Sequence, residues 1–160
     1  MNVSDLPELL RLMRATVSFH AALSSEHDQT FSLDEAELLR RGFGKRPEFG
    51  AYVADAGPKS LAGMAVHYEI EFVHTSQPLL MLKWLYVDPE YRGQRVGHNL
   101  MREVALHARA TGRECFYWFV MNENMMAQSF YRGLGGTEDP KWQRWIMPAE
   151  ALNQLVEDPR

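Results

Sequence analysis

Leu9, Leu10, Met13, Val17 and His20 recur at three- and four-residue spacing, which predicts an amphipathic helix. Ser4 or Asp5 can cap it, and Pro7 suits its first turn. Residues 24–31 are polar and read as a loop. Ser32 and Glu35 form a capping-box pattern ahead of Leu38 and Leu39, and Gly42-Phe43-Gly44 ends that second helix. From Gly50 the period changes. Residues 51–54 read as a strand, with Ala56-Gly57-Pro58 as its turn. Residues 61–72 read as a second strand. Met64, Val66, Tyr68, Ile70 and Phe72 share one face, and Ala65, His67, Glu69 and Glu71 share the other. A third strand is expected over residues 79–87. Val96, Leu100, Val104 and Ala108 then mark a long helix ending near Gly112. Residues 114–120 are almost wholly apolar or aromatic, as in a strand buried on both faces. Asn122 or Asn124 can cap another helix, which runs to Gly135-Gly136. Residues 142–147 read as a last strand and residues 148–160 as a short tail helix.

Strands and helices follow one another with no repeat, linker or low-complexity tract, so one α/β domain over residues 1–160 is expected. A net charge of −4 argues against broad binding to nucleic acid or anionic membranes. No apolar run approaches membrane-spanning length, and the N-terminus carries no basic-then-apolar leader pattern. The single cysteine, Cys115, cannot form an internal disulfide and reads as a small core residue. A cytoplasmic protein is the expectation. The six histidines are scattered without ligand spacing, so no metal site is expected.

The chemistry concentrates in Val87-Asp88-Pro89-Glu90-Tyr91-Arg92-Gly93-Gln94-Arg95-Val96-Gly97. An apolar strand feeds a Pro-Glu turn, and the turn opens a helix. The first amides of a helix lack intrahelical acceptors, and the helix dipole favours negative charge there. The amides of Gly93, Gln94, Arg95, Val96, Gly97 and His98 would therefore seat a pyrophosphate. Arg92 and Arg95 add positive charge, and the glycines let a ligand approach the backbone.

A second motif follows: Asn124-Met125-Met126-Ala127-Gln128-Ser129-Phe130-Tyr131-Arg132-Gly133-Leu134-Gly135-Gly136. With both motifs in order, the chain resembles the GNAT superfamily of acyl-CoA-dependent N-acyltransferases. Arg92 and Gly97 match the ends of that family's first motif. Asn124, Ala127, Phe130, Tyr131, Leu134 and Gly135 match its second. The region from about Asp5 to Met147 is similar to the spermidine/spermine (diamine) N-acetyltransferase branch.

The resemblance implies a mixed, mostly antiparallel central sheet flanked by helices, with a splayed parallel strand pair holding acetyl-CoA. It implies main-chain contacts to the cofactor from Leu85, Tyr86 and Val87, with Val87 as oxyanion donor. It assigns Asn124 to the cofactor and Tyr131 as general acid toward the leaving thiolate, and it implies a cytosolic homodimer. Three positions depart from the pattern. Arg95 stands where glycine is frequent, which is acceptable if it takes helical angles. Gly136 stands where an aromatic residue is usual. Lys83-Trp84 replaces a Glu-Asp pair, and a lysine there would repel a polycation.

The acceptor amine must be neutral to attack, and an alkylamine has a pKa near ~10, so a base or a desolvating pocket is needed. His67, Glu69 and Glu71, on one face of the second strand, are the base candidates. Lys83, Trp84, Glu71 and His20 are candidates for acceptor binding, and His27 could line the same pocket. The expected activity is acetyl transfer from acetyl-CoA to a primary amine of a small metabolite, by direct attack in a ternary complex. A polyamine or thialysine-like amine, a protein amine, and a non-catalytic acyl-CoA sensor are the alternatives.

Overall fold

The computed structural model describes residues 1–24, 30–70 and 78–157. It falls into two units, Met1–Gln128 and Ser129–Arg160. Glu71 and His27 lie outside the described residues.

In the first unit, the apolar stripe of α1 (Leu6–Leu23) seeds the core. Leu9, Leu12 and Met13 are wholly buried, and they pack with Leu38 of α2 (Glu35–Phe43). β1 (Gly50–Gly57) and β2 (Ser60–Ile70) follow, and α1 lies against β2, where Met64 and Val66 complete the cluster. β3 (Leu79–Val87) has the bounds its pattern predicts. A 3-10 turn, Pro89–Tyr91, leads to α3 (Val96–Ala110), and β4 (Tyr117–Trp118) follows. The sheet order is β1-β2-β3-β4. β1, β2 and β3 pair antiparallel, and β4 pairs parallel to β3. α3 covers the opposite face: Leu100 reaches Gly63, and His107 reaches His67. β2 is therefore buried from Leu61 to His67 without the in–out alternation of a half-solvated strand.

Several expectations are corrected. The cap of α2 is Asp34, not Ser32: Asp34 is extended, and its carboxylate accepts from the Glu37 amide at 2.8 Å. Residues 114–120 do not form a strand buried on both faces. Only Tyr117 and Trp118 pair, and Phe119 is 75 % exposed. Cys115 is exposed rather than a core residue, with its thiol 3.3 Å from the Tyr117 hydroxyl.

The boundary between the units falls within α4 (Met125–Gly133). The second unit continues through Gly135, which takes φ 88° beyond the helix end, to α5 (Ala149–Glu157). Residues 142–147 are not a strand. They make no ladder, and Trp142 and Trp145 are 80 % and 87 % exposed. Among the described residues no helix is long and apolar enough to cross a membrane, and no cluster of three or more His, Cys, Asp or Glu could hold a metal ion.

Candidate active site

The site begins with a break in the β3 register. Val66 of β2 faces Trp84, but His67 faces Leu82, so Lys83 is an extra residue in β3. Such a bulge bends the strand and re-aims its side chains. The parallel pair to β4 registers only at Met81–Tyr117 and Leu82–Trp118, so it ends where the bulge begins. Beyond that point β3 keeps β2 on one side and has no ladder partner on the other among the described residues. The Asp88 amide donates to the Ala62 carbonyl at 2.9 Å. By strand alternation, the main-chain groups of Leu85 and Val87 then point away from β2, toward the open edge. The Val87 carbonyl is already used: it accepts from Arg92 Nε at 3.1 Å.

The turn after β3 is held from several directions. Gln94 donates to the Glu90 carbonyl at 3.0 Å. Arg11 of α1 pairs with Asp88 at 2.8 Å and donates to the Leu61 carbonyl at 3.0 Å. Glu8 accepts from Arg11 and from the Leu61 amide, and the Arg11 bond above all holds its carboxyl below the usual range. No sequence motif marks this bracket. Its only local signal is the Glu8–Arg11 spacing of three on a helix.

Gly93 takes φ 74°, with open space where a Cβ would stand. Arg95 takes φ 63°, ψ 8°, so the expected helical angles are corrected. This is the left-handed conformation in which glycine is comfortable, and the family's frequent glycine there has a steric reason. The first helical bond runs from the Asn99 amide to the Arg95 carbonyl at 3.0 Å. The amides of Val96, Gly97 and His98 therefore have no acceptor within α3. Among the described residues no acid pairs with Arg92 or Arg95, whereas Arg11, Arg40, Arg41 and Arg113 each pair with a carboxylate. Unsatisfied amides, uncompensated guanidinium groups and an open strand edge fit a thioester tethered to a diphosphate.

Asn124 is buried, and its side-chain oxygen accepts from the Ala127 amide at 3.1 Å, so it caps α4. Gln128 ties the same helix to the Met121 and Asn122 carbonyls. Tyr131 is half-buried with its ring 5.2 Å from Phe130, and burial pushes its phenol up to about 12.

The remaining candidates lie on different surfaces. Trp84 and Tyr86 pack against the α1 core, and Lys83 is exposed with its Nζ 5.7 Å from the Trp84 ring. His20, half-buried near the end of α1, lies 6.0 Å from Phe19. His67 is buried beneath α3, whereas Glu69, two residues further along β2, is exposed. The His67 ring stacks on Tyr52 at 5.7 Å and approaches His107 at 4.7 Å. Burial first, and His107 second, push it down to about 4, and its Nδ1 is buried without a hydrogen bond. Glu69 pairs with Arg113 at 2.8 Å and His107 at 3.4 Å. No local pattern marks His107 and Arg113, far along the chain, as partners of these two residues.

The geometry agrees with the comparisons. The model of the acetyltransferase (GNAT) family matches residues 15–135. A thialysine N-epsilon-acetyltransferase of Sus scrofa is 29% identical over 95% of this chain and 92% of its own length. An aminoglycoside acetyltransferase from an uncultured soil metagenomic sample superposes with a TM-score of 0.73 at 20% identity, covering 91% of each chain. An aminoglycoside N-acetyltransferase solved in complex with CoA superposes with a TM-score of 0.65 at 19% identity, covering 91% of this chain and 90% of its own. With its strand break, its glycine-bearing turn and a family match over most of its length, this chain belongs to the GNAT family of acetyltransferases.

Proposed function

We propose that this N-acetyltransferase moves an acetyl group from acetyl-CoA to a primary amine of a small metabolite, by direct attack within a ternary complex. The carrying observation is the turn at residues 92–98, where free helix amides and two arginines without an acidic partner among the described residues follow a strand with an open edge. When bound, acetyl-CoA supplies an activated thioester carbonyl. Arg92, Arg95 and the amides of residues 93–98 would hold its diphosphate. Leu85 and Val87 would lend main-chain groups to its arm, and the Val87 amide would donate to the oxyanion. Asn124 shapes the start of α4 and through it the loop before that helix. Tyr131 would give its proton to the departing thiolate. Its support is its register with Asn124 in the second motif and a phenol that stays protonated through neutral pH. His67 is buried beneath α3, and the exposed Glu69 is engaged by Arg113 and His107, so neither is assigned the removal of the amine proton.

Lys83 gives the acceptor its character. It is exposed at the bulge, beside the open edge of β3. A cation there favours an amine that also carries a carboxylate or phosphonate and disfavours a polyamine. The likeness to a thialysine N-epsilon-acetyltransferase supports a small amine. The test is a panel of amines assayed by thiol release from acetyl-CoA. Amino acids and aminophosphonates should outrun spermidine, and Lys83→Glu should shift that ratio toward spermidine by about tenfold or more. Best turnover of spermidine by the unaltered enzyme would refute the anionic acceptor.

A homodimer is part of the proposal, as is a cytoplasmic setting. Trp142, Trp145, Ile146 and Met147 are exposed apolar side chains of the second unit, and such surface marks contact sites. Sedimentation at micromolar concentration should give twice the chain mass, and a monomer would contradict the assignment.

A further inference from the structure

We infer that Phe19 of α1 is a positioning residue for Arg92, setting the direction in which its guanidinium meets the diphosphate. This rests on reading residues 92–98 as the diphosphate cradle. Arg92 is exposed, and a long exposed side chain ordinarily samples many rotamers. Here three contacts converge on it. Its Cζ lies 5.6 Å from the centroid of Phe19 and 5.9 Å from that of Tyr86, within reach of a cation–π attraction to each ring. Its Nε is held by the Val87 carbonyl at 3.1 Å. Tyr86 and Val87 belong to the strand that precedes the turn. Phe19 comes from a separate helix, more than seventy positions away in sequence, and supplies a contact that the turn cannot make for itself. With Nε spent on the strand, the two terminal nitrogens are the donors left for a phosphate. The Phe19 ring carries no competing acceptor. An acid in its place would pair with the guanidinium, as Glu8 does with Arg11, and oppose the ligand.

The experiment is a double-mutant cycle on coenzyme A binding, read by calorimetry on the full chain. Phe19→Met keeps apolar volume but removes the ring face, and it should weaken the Kd roughly fivefold. Phe19→Tyr, which keeps a ring, should stay within about twofold of the unaltered protein. In an Arg92→Ala background, Phe19→Met should cause no further loss. A residue that merely packs α1 would instead weaken binding by the same factor in both backgrounds, and that result overturns the inference. An unchanged Kd in Phe19→Met overturns it as well. If Arg92→Ala itself leaves affinity untouched, the cradle reading falls and takes the inference with it. A full Arg92 effect without coupling to Phe19 sinks the inference alone. Should Phe19→Met lose its fold, Phe19→Leu supplies the same comparison.

Discussion

Replacing Tyr131 by phenylalanine is expected to lower kcat by about 100- to 10,000-fold while leaving the affinity for coenzyme A unchanged. The substitution removes one hydroxyl and keeps the ring that meets Phe130 at 5.2 Å. A thiolate leaves poorly from a tetrahedral centre when nothing protonates it, so the loss should fall on turnover. Burial pushes the phenol up to about 12, so the hydroxyl keeps its proton at neutral and mildly alkaline pH. The donor form would be lost only as pH rises toward that value. Steady-state kinetics beside calorimetry separate the outcomes. Equal turnover in the variant would remove Tyr131 from the chemistry. Absence of turnover in the unaltered protein, with tight coenzyme A binding, would favour the sensor alternative.

The second large effect is acid lability centred on His67. Its folded pKa is about 4, against 6.5 for an unburied histidine. Between those values the unfolded chain takes up a proton that the folded chain refuses. Stability contributed by the neutral ring is thus complete above pH 6.5, declines as pH falls, and stops declining below about 4. The full loss is about 3 kcal/mol, or roughly 6–12 °C in Tm for a chain of this size. Other groups face the ring: Tyr52 from β1, Glu69 on its own strand, His107 from α3, and Arg113 beyond it. Glu69 opposes the downward shift, and Arg113 adds a little to it. His67→Leu removes the titration and leaves no buried Nδ1 to satisfy, so its stability should vary far less between pH 7.5 and 5. Urea midpoints at the two values check this. An equally steep acid dependence in the variant would assign the lability elsewhere.

These predictions rest on features of differing visibility in the sequence. β3 was legible to the residue, because an apolar run bounded by turn residues has few other ways to fold. So was the start of α3, since its stripe of Val96, Leu100, Val104 and Ala108 admits one face. The α2 cap was misplaced by two residues because Ser32 and Asp34 are both good caps, and the choice depends on where the chain arrives from. The left-handed Arg95 was hidden because side-chain identity argues for helical angles there, while the turn geometry demands otherwise. Residues 114–120 and 142–147 have the composition of strands without forming them, apart from the Tyr117–Trp118 pair. Apolar composition reports a need for burial, and it does not say which surface meets that need. The bulge at Lys83 and the His67 cluster depend on register and on distant partners, which no local pattern encodes.

The central claim is that the turn after β3 grips the diphosphate of acetyl-CoA through its backbone. Amide spectra of nitrogen-15-labelled protein, recorded as coenzyme A is added, address it directly. The resonances of Gly93 to His98 should shift together and saturate at one equivalent per chain, and their hydrogen exchange should slow. Resonances of those residues that stay in place, while shifts gather elsewhere or nowhere, would contradict the account.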